Sequence, residues 1–318
     1  MDTESTLMRQ RRVVAHLAGL LGISACSTGT MGRAAMPAAM AAADSAIRAA
    51  VANEQTIDVA SFPPRAVGVA PFQVHSADST LHPLGFGLAD LLMTDLARSA
   101  QVQVVDRLRI DALLRELRLA QAGFVDTSSA ARFGRLVGAR RIVLGAMTTM
   151  DGGRARLDGR VGDVLTGAVE VTAGTPTTLD ALLDAEKAFA FAVFDRLGVV
   201  LAPAERALVE QRPTRNLAAL LAYSRGVQAE AQLDFAFARR EYREAIRQDP
   251  GFDNAGENLN RLEADPAIGA AAGTDMIRAG ALALQAVNAP TMPRVATAVD
   301  PAFRQPMVAT IIIVLTFP

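Results

Sequence analysis

Tryptophan is absent from the 318 residues, tyrosine occurs twice, histidine three times and cysteine once. Each scarcity closes off some chemistry. A lone cysteine excludes a disulfide within the chain and cannot by itself build a zinc or iron–sulfur site. So few rings and imidazoles leave little for stacking on bases, ligating transition metals or moving protons. Charge of one sign is also missing: 32 lysines and arginines face 33 acids, so no overall field favours nucleic acid or an anionic surface. Half of the residues are apolar, enough for real cores, and the length accommodates two folded units at roughly 100–200 residues each.

The single cysteine, Cys26, sits just beyond a short apolar run. Arg9, Arg11 and Arg12 precede Val13 to Ile23, and small residues follow, the layout of a signal peptide over residues 1–25. The run is shorter than the roughly 20 residues a membrane helix needs. The acidic lead-in MDTESTL is unusual before such a segment, which leaves Met1 and Met8 both open as the start of translation. Ile23-Ser24-Ala25-Cys26 is similar to a bacterial lipobox, in which small side chains flank the cut and the thiol accepts lipid. A buried apolar cysteine and a nucleophile are the competing readings, the latter with only His16 nearby. Stable anchoring takes about two lipid signals, which the multiply acylated cysteine of lipoproteins supplies. Ser27 after the cysteine, in place of aspartate, points by the same resemblance to the outer membrane.

Residues 26–60 are alanine-rich and read as a tether, with a helix over 41–53 and an extended entry at Pro63-Pro64. From there the pattern predicts an α/β domain over 61–200, a sheet covered by helices. Its parts in order are a strand at Ala66–Phe72, a loop over 73–84 and a helix at Gly85–Ala100 with Leu88, Leu91, Leu92 and Leu96 on one face. A short strand at 101–105 leads to a helix capped by Asp106, and another helix opens at Asp126 or Thr127 and ends at Gly138. A strand at 140–150 turns at Gly152-Gly153 into further strands, and a long helix over Leu179–Leu197 closes the unit.

VGVAPF at 67–72, LADLLMTDLARS at 88–99, VQVVDRLRIDALLREL at 102–117 and GRLVGARRIVLGAM at 134–147 follow one another in an order that resembles the CsgG-like family of bacterial lipoproteins, the CsgG, HfaB and FlgO type. The resemblance implies a secreted, lipid-anchored, periplasm-facing component of an envelope assembly, without enzymatic activity or cofactor. Its expected partners are envelope proteins, further copies of itself and, through the lipid, a membrane; nucleic acid is not among them. A curli-type pore is not expected. The span 150–175 must supply the domain's own strands and carries Arg154, Arg156, Asp158, Arg160 and Asp163, and an arginine near the bilayer midplane costs about 2–4 kcal/mol. The loop QVHSADSTLHPL also lacks the tyrosine, asparagine and phenylalanine with which the pore-forming member narrows its channel.

Over 214–264 the sequence reads as a helical hairpin of tetratricopeptide type. Gly226, Ala238, Tyr242, Ala245 and Pro250 match that repeat's spacing of about 34 residues, small residues letting two helices approach while Tyr242 fills between them. One repeat cannot bury its own apolar face, so the hairpin either packs on the α/β domain or offers a docking surface. Residues 265–318 form a tail ending in MVATIIIVLTF, strongly strand-like, which completes a sheet of this chain or pairs with a neighbour's.

Catalytic and metal sets do not assemble. His75 and His82 bracket Asp78 but lack further ligands. Gly85-Phe86-Gly87 has no third glycine and does not directly follow a strand. Arg140 and Arg141, as strand neighbours, point to opposite faces and are expected to be solvated, as are Asp158 and Asp163. The function expected from the whole is a lipid-anchored assembly or secretion-accessory platform. The alternative is a ligand-binding or signalling module coupled to tetratricopeptide-type protein contacts.

Overall fold

The computed structural model describes residues 36–117 and 129–264. All of them belong to one unit, Met1–Ile268. Cys26, the helix start at Asp126 or Thr127 and the strand-like tail lie outside the described residues.

A short apolar run lies inside the sheet. β1 (Ala66–Val69) is buried along its whole length, as a strand covered on both faces must be. It pairs in parallel with β3 (Gln103–Val104) on one side and with β4 (Arg141–Thr149) on the other. β2 (Gln73–His75), inside the stretch expected to be a loop, is also a strand and continues along the same edge of β4. Val69 pairs with Val143 and Gln73 with Ala146, so the first strand spends one residue more than its partner over this interval. The extra residue falls where Pro71 has no amide hydrogen to offer, a β-bulge. There the Phe72 amide donates to the Gly85 carbonyl instead, at 2.9 Å. β5 (Arg154–Asp163) and β6 (Val169–Thr178) complete the order β3-β1-β4-β5-β6 as antiparallel strands. Gly152 and Gly153, both at positive φ, make the β4–β5 turn.

Alternation along β4 separates two cores. Val143 and Met147 face α2 (Leu84–Leu96) and α5 (Leu182–Arg196), joining Leu88, Leu92, Phe189 and Phe194. Ile142 and Leu144 face the opposite way, towards α3 (Arg107–Glu116) and α4 (Ala130–Val137). Asp106 caps α3 by accepting from the Leu108 amide at 2.8 Å. The stretch read as a tether carries α1 (Met36–Ala52), whose Ile47 is fully buried in the second core and whose Asp44 pairs with Arg115 at 2.7 Å.

Beyond the short α6 (Pro203–Val209) come α7 (Leu217–Ala231), α8 (Phe235–Gln248) and α9 (Asp253–Glu263). The third of these was not foreseen from the sequence. The core of this helical trio is continuous with the α2–α5 core. The Gly-Phe-Gly run explains how: a Cβ on Gly85 would lie 2.1 Å from the Phe72 carbonyl oxygen, and one on Gly87 would lie 2.0 Å from Ser224 Oγ of α7. These glycines serve backbone approach, α2 against the bulged strand and α2 against α7.

Gly87→Ala sets two effects against each other. Alanine gains about 1 kcal/mol of helix propensity, whereas overpacking a fixed contact costs about 1–3 kcal/mol. Ser224 cannot retreat freely, because its hydroxyl is bonded to the Leu220 carbonyl and its Cα would lie 3.1 Å from the new Cβ. The expected result is a lower urea midpoint; an unchanged or higher midpoint would show that α2 and α7 are not held this closely.

Candidate functional site at the junction of sheet and helices

Where α2, α3 and the helical trio meet, the interior is charged. Arg107, the first residue of α3, reaches Glu230 of α7 at 2.7 Å and Asp90 of α2 at 3.4 Å, with side-chain exposures of 14%, 3% and 15%. Arg261 of α9 donates to both Glu230 oxygens at 2.9 Å. Tyr242 of α8 donates to Glu230, and Tyr223 of α7 to Asp90. Asn258 lies 3.4 Å from the Tyr223 hydroxyl and also contacts Arg261. Both tyrosines of the chain are therefore here, their rings 5.8 Å apart, with Phe252 against Tyr223 at 4.8 Å.

The charges settle one another. Burial disfavours ionised Glu230, but Arg107 and Arg261 outweigh it and hold the carboxyl below its ordinary range. Burial likewise disfavours a charged Arg107, yet Glu230 and Asp90 keep it protonated well above the usual guanidinium value. Burial, then Asp90 and Glu230, push the tyrosines up, so each remains a hydroxyl donor. Asp111, one turn after Arg107, is pushed by burial up to about 7, with Arg107 opposing.

A second buried set ties α2 to α5. Lys187 lies 2.5 Å from Asp95 and 3.4 Å from Glu186. Glu186 is fully buried and neither of its oxygens has a hydrogen-bond partner. Burial first, and Asp95 second, raise it to about 8; burial raises Asp95 too, against Lys187. Lys187 is the chain's sole lysine, a sequence signal that could have singled out this place.

Among the described residues, those singled out in the sequence fall elsewhere, with one exception. Gly226, Ala238, Tyr242 and Ala245 meet at the α7–α8 contact, where a Cβ on Gly226 would lie 2.5 Å from the Tyr242 ring; Pro250 follows the end of α8. Of these only Tyr242 enters the ion network. The His82 ring lies 3.3 Å from the Ser76 carbonyl. Among the described residues, no group of histidine, cysteine and acid side chains could hold a metal ion, and no helix is long and apolar enough to cross a membrane. Arg140 and Arg141, expected to be solvated, both turn to Asp163, because β5 places that residue directly opposite Arg141. Asp158 pairs with Arg156 at 2.8 Å.

Glu186 gives the pH dependence a sign. An acid whose pKa is higher folded than unfolded binds its proton more tightly in the fold, so its contribution is full below about 4.5 and is lost as pH rises towards about 8. Asp111 acts in the same direction up to about 7. Between pH 5 and 8 the urea midpoint should therefore fall, and Glu186→Gln should reduce that fall. Equal falls in both proteins would contradict the assignment.

Residues 38–170 match the family described as curli production assembly/transport component CsgG. No curated protein matches the chain. Among solved structures, the C-terminal domain of LpoB from Salmonella enterica is 16% identical, with a TM-score of 0.31, over 43% of this chain and 98% of that one. The same domain from Escherichia coli is 17% identical, TM-score 0.29, over 42% and 95%. Lipoprotein GNA1162 from Neisseria meningitidis is 15% identical, TM-score 0.28, over 44% and 100%. The strands β1 to β5 and the helices α2 to α4 fall within the matched span, and over residues 38–170 the chain is similar to the CsgG family.

Proposed function

We propose that the protein is an accessory lipoprotein of the bacterial envelope, anchored through lipid on Cys26 to the outer membrane and facing the periplasm. In this reading it works without catalysis, as a platform that holds protein partners and further copies of itself. The α7–α8 hairpin, with its tetratricopeptide-type packing of Gly226, Ala238, Tyr242, Ala245 and Pro250, is the docking arm.

One observation carries the reading: the helical trio is locked by the Arg107–Glu230–Asp90 network onto the helices of the α/β domain. A load or partner on the arm is thereby passed to the domain and not lost in a flexible joint. The arm has a surface to offer. Arg240, Arg243 and Arg247 project from α8 with side-chain exposures of 67%, 59% and 68%. Residues Ile23 to Cys26 supply the support for the anchor.

The test uses the full chain in a Gram-negative host, wild type beside Cys26→Ala, with metabolic labelling by a palmitate analogue, membrane fractionation and native mass of the extracted protein. The expected outcome is label and membrane retention in the wild type, loss of both in the variant, and a multimeric native mass. An unlabelled wild type refutes the anchor. A labelled monomer retains the anchor and refutes the self-assembling platform.

A further inference from the structure

Apart from the ion network, the molecule has a cavity of about 160 Å³ between α2, α5, the segment linking α6 to α7 and the start of α9. Its polar lining goes largely unused by the fold. Among the described residues, Arg98, Gln211, Asn254 and Glu257 make no side-chain hydrogen bond or ion pair. The charges are sorted by wall. Arg98 stands two residues past the end of α2, where its charge acts on Asp95, while Asp253 and Glu257 stand on α9, and across the cavity Arg98 does not reach the α9 acids. Arg212 is already committed to Asp184. At the buried end lie Asp95 and Lys187, with side-chain exposures of 6% and 9%, neutralising each other.

We propose that this cavity binds a small zwitterion, a free α-amino acid or a very short peptide. Its carboxylate would meet Arg98 and its ammonium Asp253 and Glu257, with the Gln211 and Asn254 amides as hydrogen-bond partners. A single cation would answer the α9 wall and not Arg98, whose charge otherwise acts on Asp95, already paired with Lys187; a single anion would do the reverse. A molecule with both charges answers both walls. The size agrees, since a cavity of about 150 Å³ holds benzene, which points to ligands of about six to ten heavy atoms. The lining is mainly polar, with Leu91 and Leu208 supplying an apolar part, which suits a small charged ligand.

The residue at the buried end fits the same purpose. The chain uses arginine at every other basic position and lysine only at 187. A guanidinium is broader and carries a fixed fork of donors, whereas an ammonium is a compact point charge. Lysine neutralises Asp95 and leaves the space open. Because one wall belongs to the α/β domain and the other to the trio, a bound zwitterion would bridge the two. This inference goes beyond the platform function and does not depend on it.

The test is calorimetric titration and thermal melting of the full chain with the standard L-amino acids and glycylglycine. N-acetyl-leucine, which lacks the ammonium, and leucine methyl ester, which lacks the carboxylate, serve as single-charge controls. The expected result is saturable binding and a raised melting temperature for at least one zwitterion, and none for the blocked forms. Arg98→Ala and Glu257→Gln, both at exposed positions, should melt as the wild type does without ligand and bind about tenfold more weakly. Binding of the blocked forms as well as the zwitterions would overturn the proposal. So would undiminished binding by both variants, or no binding of any zwitterion at about 10 mM, a concentration well above the range of ordinary ligand sites.

Discussion

The architecture turns on one guanidinium. Arg107 opens α3, where the helix end is already positive and a further cation is disfavoured by about 0.3–1 kcal/mol. It stays charged and buried because Glu230 and Asp90, from two other helices, converge on it. Removing one partner of such a buried set costs about 3–5 kcal/mol, since the remaining charge is stranded in the interior. The same carboxylate that holds Arg107 also accepts from Tyr242 and Arg261. In this way α3, α7, α8 and α9 all depend on Glu230.

Helix α2 is the element through which the rest communicates. Its Leu88 and Leu92 share a core with Val143 and Met147 of the sheet, its Asp90 belongs to the Arg107 network and its Asp95 to the Lys187 set. Five positions apart, those two acids are about 140° apart around the helix. One therefore addresses α3 and α7 while the other addresses α5. The two glycines near its start remove the side chains that would keep the bulged strand and α7 at a distance. A helix of thirteen residues is so pinned on every side, with eleven of them buried.

The sequence made the layered part legible because that part obeys periodicity. The apolar run at 66–69, the leucine face of α2 and the cap at Asp106 are local signals, and each describes its own element. β2 was unreadable because its strand character comes from pairing with β4, and Gln73-Val74-His75 carries no apolar pattern of its own. The interior charges were unreadable for the same kind of reason. Asp90, Asp95, Glu186 and Glu230 look like the polar faces of amphipathic helices until partners from distant segments are brought to them. Arg140, Arg141 and Asp163 make the point in the sheet: register alone turns three apparently solvated charges into a cluster. What the composition did offer was rarity. Both tyrosines and the sole lysine lie in the two buried polar sets.

If the Arg107–Glu230 contact is what joins the helical trio to the α/β domain, the two residues must be energetically coupled. A double-mutant cycle with Arg107→Met and Glu230→Gln, followed by urea unfolding at neutral pH, measures this directly. The expected coupling is about 1–3 kcal/mol, with the double variant less destabilised than the sum of the singles. Additivity within about 0.5 kcal/mol would mean that the two charges are buried side by side without holding the structure together.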